Sequence, residues 1–294
     1  MKIFVAGSNG LLGRELMDRL GARHTVEGAD RPELDIADPG STARALDAVR
    51  PAAVINAAAY TRVDQAETER EAAWRANVEG PRVLAEACAR RGIRLVHLST
   101  DYVFDGRRPP PQPYVETDPP HPLSWYGRTK LEGERAVLTS GVRAAILRTA
   151  WLYGAHGRHF LRALAGAAAA RPGQALRVVQ DQWGTPTWTA RLAEQIERVL
   201  IEGLEGLFHA TAEGACTWFD YACLAARAGG RAWTIIPCSS AEFPTPAHRP
   251  SNAILENAAL KRGAWNVFRP WEEDVRAYLR ETGEAGLLPW PDVR

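Results

Sequence analysis

A chain of 294 residues fits one large α/β domain or two modest ones, and 46% hydrophobic residues are enough for a substantial core, which excludes a disordered chain. Thirty-six basic residues against 35 acidic ones leave a net charge of +1, so no polyanion-binding surface and no nucleic acid partner are expected.

From the N-terminus, residues 3–6 read as a buried strand and residues 11–20 as a helix with one apolar face. The apolar run before Gly7 is too short for a secretory signal or a membrane span, so a cytoplasmic protein with no membrane contact is expected. Residues 54–58 follow Pro51 as another strand, and the spacing predicts a long helix over 72–91, closed by Gly92. Residues 95–98 and 144–147 are further strands, while the Pro-rich stretch 108–122 is a surface loop. Strand and helix in alternation predict an α/β fold, a Rossmann-like doubly wound parallel sheet with helices on both faces.

Beyond Trp151 the rhythm loosens. Helices are expected over 160–171, 189–201, 218–228 and from Pro270 to Arg280, with strands at 176–180, 206–210 and 233–237 and a Pro-rich loop at 242–252. This predicts a dinucleotide-binding domain over 1–150, with 176–202 returning to it. A smaller α/β substrate-binding lobe is expected over 151–175 and 203–294. Cys88, Cys216, Cys223 and Cys238 form no C-x-x-C pair and lie at no metal-ligand spacing from a histidine, which suggests free thiols and no metal.

Gly7-Ser8-Asn9-Gly10-Leu11-Leu12-Gly13 follows the first strand and opens the first helix. Glycines three apart allow a tight turn and close approach of backbone to a pyrophosphate, which the helix N-terminus then favours. Asp30 stands near the end of the second strand, where a carboxylate can accept from the adenosine ribose hydroxyls. Arg31 beside it suits a 2′-phosphate instead, so NADH and NADPH both stay open.

Tyr126 and Lys130 are four apart at the start of a helical stretch, on one face. A ketone that accepts hydride needs a proton, and a phenol with an ordinary pKa of about 10 gives it up more readily beside an ammonium. At roughly 4 Å and an effective dielectric near 20 that attraction is about 4 kcal/mol before desolvation. Only three of the 36 basic residues are lysine, so Lys130 stands out where Arg is the rule. Thr100 and Asp101, just past the end of the third clear strand, face the ligand crevice of such a sheet, and a hydroxyl there can bind the substrate carbonyl.

With these segments, with 56–61, 148–154 and 184–187, and with the loop 244–252, the chain resembles the extended short-chain dehydrogenase/reductase family. Within the family the likeness is to the dTDP-4-dehydrorhamnose reductase branch. The resemblance implies reduction of the C4 ketone of a dTDP-linked 4-keto-deoxysugar by NADPH or NADH, with dTDP-4-dehydro-L-rhamnose the substrate. It implies Tyr126 as proton donor, Lys130 as its electrostatic partner and ribose ligand, and Thr100 as the carbonyl-binding hydroxyl. Gly10, Leu11 and Leu12 would touch the pyrophosphate, Asp35 and Ile36 the adenine, and Ala59, Tyr60 and Thr61 the length of the cofactor. Thr100, Asp101 and Trp151 would contact the sugar nucleotide, and Arg249 its diphosphate.

Tyr60 and Trp188 depart from the family pattern, which puts the sugar pocket in doubt. Other dTDP-4-keto-deoxysugars are alternative substrates. A dehydratase is disfavoured because Tyr102 follows Asp101 where the elimination pair would have Glu, whereas an epimerase stays open. Intact Thr100, Tyr126 and Lys130 argue against a silent binding subunit like the regulatory subunit of methionine adenosyltransferase. A homodimer is left open.

Overall fold

The computed structural model describes residues 1–283. Along the first half, strands β1 (Lys2–Ala6), β2 (Thr25–Ala29), β3 (Ala53–Asn56), β4 (Arg94–Thr100) and β5 (Ala144–Thr149) alternate with helices α1 (Leu11–Gly21), α2 (Pro39–Val49), α3 (Arg70–Trp74), α4 (Gly80–Ala89) and α5 (Trp125–Thr139). The second half carries β6 (Leu152–Tyr153), α6 (Phe160–Ala170), β7 (Leu176–Val179), β8 (Trp183–Gly184), β9 (Thr187–Trp188), α7 (Thr189–Glu202), β10 (Gly206–His209), β11 (Cys216–Thr217), α8 (Trp218–Ala228), β12 (Ile235–Cys238), α9 (Ala258–Arg262) and α10 (Trp271–Thr282).

Six strands pair in parallel in the order β2-β1-β3-β4-β5-β10. Their side chains alternate between two buried layers, because both faces of a parallel sheet are covered by helices. Ile3, Val5, Ile55 and Val96 pack with Leu12 and Leu16 of α1 and Leu192 and Ile196 of α7. Phe4, Val54, Leu95 and Ile146 face the other way, onto Leu46 of α2, Leu84 of α4 and Val137 of α5. The strand order reverses between β1 and β3, the switch point at which open α/β sheets bind ligands.

The lobe holds three two-stranded sheets, β7–β12, β8–β11 and β6–β9, with α6, α8 and α10 around an aromatic core of Tyr153, Trp188, Tyr221, Trp271 and Tyr278. The chain divides differently from the sequence expectation. β7 pairs with β12 inside the lobe, and β10, drawn above as part of the lobe, is the sixth strand of the main sheet. Of the segment 176–202 it is α7 that returns to the sheet. The last residues assigned to the lobe, 284–294, lie outside the described residues.

The long helix expected over 72–91 is interrupted. Between α3 and α4, residues Arg75–Glu79 form a wider π turn. Pro81 has no N–H to bond the carbonyl of Asn77 four residues back, so the ladder opens there. No helix among the described residues is long and apolar enough to cross a membrane.

Candidate active site

The glycine turn sits at the switch point. Gly7 has φ +84°, and a Cβ on it would meet the backbone of Ala57 and Ala58 at 2.6–2.9 Å. Gly13 is tighter still: a Cβ there would lie 2.0 Å from the Gly7 carbonyl, so only glycine lets α1 pack onto the turn. Gly10 caps α1 with no side-chain hydrogen bond, which leaves the first N–H groups of the helix for an anion. A cleft of about 580 Å³ opens here, lined by Gly7, Gly10, Asp30, Arg31, Leu34, Ile36, Ala59, Tyr60, Thr61 and Arg75 among others. Cradle, positive helix end and paired Asp30–Arg31 at the end of β2 fit a dinucleotide.

Of the other residues expected at the cofactor, Leu12 is buried in the core, so it can meet a phosphate only through its backbone. Leu11 packs under Gly157 of the β6–α6 loop. Asp35 is not a wall of the cleft but holds two of its arginines. Tyr60 lines this cleft, its hydroxyl donating to Glu69 at 2.7 Å. Asn77, on the π turn, escaped sequence reasoning: its Oδ1 accepts from Tyr60 N at 2.8 Å and its Nδ2 donates to the Thr129 hydroxyl at 3.0 Å. It joins the segment after β3 to α5.

Ser124 caps α5, its hydroxyl accepting from Gly127 N at 3.1 Å, and a Cβ on Gly127 would meet the Tyr102 carbonyl at 2.2 Å. The helix is thereby pressed onto the end of β4. Tyr126 and Lys130 share its buried face, with the Tyr126 ring edge-on to Tyr102 at 5.6 Å between centroids. Thr100 Oγ1 donates to Asp101 Oδ1 at 2.8 Å and accepts from Tyr102 N at 3.2 Å.

The expected effect of Lys130 on the phenol is not what the structure shows. Lys130 Nζ donates to the Leu98 carbonyl at 2.6 Å. Burial pushes the Tyr126 phenol up to about 12, with the Thr100 hydroxyl pulling the other way. Burial also pulls Lys130 down to about 8, opposed by the Glu134 carboxylate one turn further along. Asp101 is pushed up to about 7 by burial, and its Oδ2 has no hydrogen-bond partner. The ammonium is lost as pH rises through about 8. The value of kcat/KM for the cofactor reports ionisations of the free protein, so it should fall above about pH 8, about tenfold per unit. A flat profile to pH 10 would remove the charge of Lys130 from cofactor capture.

The two lobe residues expected at the sugar nucleotide, Trp151 and Arg249, take different places. Trp151, at φ +45°, stacks on Trp218 with centroids 3.5 Å apart, and a Cβ on Gly184 would meet its ring at 2.4 Å. With one face of Trp151 covered by Trp218, the aromatic wall of the neighbouring cavity is instead Trp218 and Phe160. That cavity, of about 380 Å³, is bounded also by Arg177, Phe243, Thr245 and Arg249. Arg249 is held by a bidentate pair to Asp64 at 2.9 and 2.8 Å, from the lobe loop across to the segment after β3. Trp188 lies in the lobe core with Arg19 over its ring, away from either cavity.

A dinucleotide cradle at the switch point beside a buried Thr–Tyr–Lys set is the arrangement of an extended short-chain dehydrogenase/reductase. The RmlD substrate binding domain family matches residues 1–283, and the chain belongs to that family. The dTDP-4-keto-6-deoxy-D-glucose reductase of Streptomyces niveus is 41% identical over 270 residues, covering 91% of this chain and 92% of its own. The dTDP-4-dehydrorhamnose reductase of Burkholderia thailandensis is 38% identical, over 96% and 99% of the two chains. A crystal structure of dTDP-4-dehydrorhamnose reductase from Bacillus anthracis in complex with NADP superposes with a TM-score of 0.92 at 34% identity, over 96% of this chain and 99% of that one.

Proposed function

We propose that this chain reduces the C4 ketone of dTDP-4-dehydro-L-rhamnose to dTDP-L-rhamnose with NADPH or NADH. The observation that carries the reading is Tyr126 and Lys130 buried one turn apart on α5, beside the buried Thr100 at the end of β4. Tyr126 shares a cluster with Tyr60 of the dinucleotide cleft and meets Tyr102, which neighbours Arg249 of the aromatic cavity.

Bound in the cleft, the nicotinamide supplies hydride to the ketone carbon. Tyr126 supplies the proton to the ketone oxygen: a phenol near 12 keeps its proton until an alkoxide, a stronger base, forms. Thr100 turns its single O–H from Asp101 to the growing negative charge on that oxygen, in a site with little water to screen it. Lys130, near 8, is a stronger acid than the phenol, so proton transfer from it to the phenolate left behind runs downhill. The unpartnered Asp101 Oδ2 offers an acceptor to a sugar hydroxyl, and burying it without one is costly. Trp218, Phe160 and Arg249 suit a nucleobase and its diphosphate, a flat apolar ring and an anion.

The likeness to the Streptomyces niveus enzyme favours a second reading, reduction of another dTDP-4-keto-6-deoxysugar on the same residues. An assay of NADPH and NADH oxidation across several such sugars separates the two. Fastest turnover with dTDP-4-dehydro-L-rhamnose is expected. Cofactor binding without oxidation by any of them would sink both readings and leave a binding subunit.

A further inference from the structure

Asp64 stands on the segment after β3, and Arg249 on the Pro-rich loop of the lobe. The carboxylate meets the guanidinium head-on: Nη1 donates to Oδ1 at 2.9 Å and Nη2 to Oδ2 at 2.8 Å. Ala247 N donates to the same Oδ1 at 3.2 Å, and the Ala247 carbonyl accepts from Arg249 Nη1 at 3.3 Å. One acidic side chain therefore fixes both the arginine and the turn of backbone that carries it. The pair is partly exposed, 38% for Asp64 and 24% for Arg249, so it adds little to the stability of the fold. What it fixes is direction.

A guanidinium carries five N–H groups in one plane. Two of them point at Asp64 and a third at the Ala247 carbonyl. Nε and the second N–H of Nη2 remain, side by side on the other edge, and they make another planar fork that suits two phosphate oxygens. Arg249 borders the aromatic cavity and neighbours Tyr102, whose ring meets Tyr126 edge-on at 5.6 Å. In a nucleotide sugar the diphosphate joins the base end to the sugar ring, and Arg249 likewise joins the aromatic wall to the neighbourhood of the reacting phenol. We infer that Asp64 is a positioning residue for the diphosphate: it holds Arg249 by one edge so that the other edge meets the anion. The inference rests on the cavity being the nucleotide end of the substrate site, as proposed above.

Two effects of Asp64→Asn oppose each other. Loss of a negative charge beside Arg249 favours an incoming anion, whereas release of a long, rotamer-rich side chain costs affinity. Solvent screens the charge effect at a partly exposed pair, so orientation wins. Calorimetric titration of the full chain with dTDP is therefore expected to show about tenfold weaker binding in Asp64→Asn, with NADPH affinity within about twofold of wild type. Arg249→Gln should weaken dTDP by about tenfold or more, and adding Asp64→Asn to it should weaken dTDP no further, because the carboxylate then has nothing to hold. Tighter or unchanged dTDP binding in Asp64→Asn, or losses that multiply in the double variant, would overturn the role of Asp64 while leaving Arg249 on the diphosphate. An equal loss of NADPH affinity would overturn it too, by making Asp64 structural. Wild-type affinity for dTDP in Arg249→Gln would overturn the diphosphate reading itself, and the inference with it.

Discussion

Tyr126→Phe is expected to lower kcat at least about 100-fold, the usual scale for loss of a general acid, while binding of NADPH changes less than about threefold. The phenol ring lies edge-on to Tyr102 in a cluster with Ala66 and Ala73, and Phe keeps that packing. What Phe lacks is the hydroxyl that carries the proton. Stopped-flow measurement of a single turnover separates this from slow product release. Turnover near the wild-type rate would remove Tyr126 from the chemistry, and a parallel loss of cofactor binding would make its role structural.

Glu134→Gln is expected to destabilise the fold by about 3–5 kcal/mol, because it leaves a buried guanidinium without its counter-charge. Arg148 on β5 donates to both oxygens of Glu134, at 2.9 and 2.7 Å, and their side chains are 3% and 2% exposed. Ser99 donates to the same carboxylate, and Arg148 lies over the Phe104 ring at 5.2 Å. The network fastens α5 to β4 and β5 one turn below Lys130. Urea denaturation gives the stability change. Replacing Glu134 and Arg148 together by Met should recover most of the loss, since no lone charge is then buried. A Glu134→Gln change of under about 1 kcal/mol would mean that water reaches the pair. Glu134 also holds the Lys130 pKa up, so the alkaline limb of kcat/KM should move to lower pH in Glu134→Gln.

The strands of the first half were legible because a parallel sheet buries both faces, and runs such as Ile3–Ala6 and Leu95–Leu98 carry that signature directly. The second half was less so. Leu176–Val179 and Gly206–His209 look alike as short apolar strands, and nothing local says which joins the main sheet. Two features were written in the sequence and still missed. Asp38-Pro39, a cap followed by proline at the first helical position, announces α2, and Pro81 inside a helical pattern announces the π turn that presents Asn77.

In the candidate site, the glycine turn and the Tyr126–Lys130 spacing were visible because each depends on neighbours in the chain. The rest depends on distant partners. Arg249 and Asp64 are 185 residues apart, Trp151 is covered by Trp218, and Glu134 is matched to Arg148 only once α5 lies on β5. The Tyr126 phenol was expected to be eased by an ammonium and is in fact raised by burial, a property of the packed fold that no spacing encodes.

The central claim is hydride delivery to a sugar ketone over a site that protonates it. Incubating the wild-type chain with NADPH deuterated at the transferred position and dTDP-4-dehydro-L-rhamnose, then locating the label by mass spectrometry and NMR, tests it most directly. The account predicts deuterium at C4 of the sugar product and none at C3 or C5. Product formed without label at C4, or label-free substrate recovered with the cofactor bound and unchanged, would contradict it.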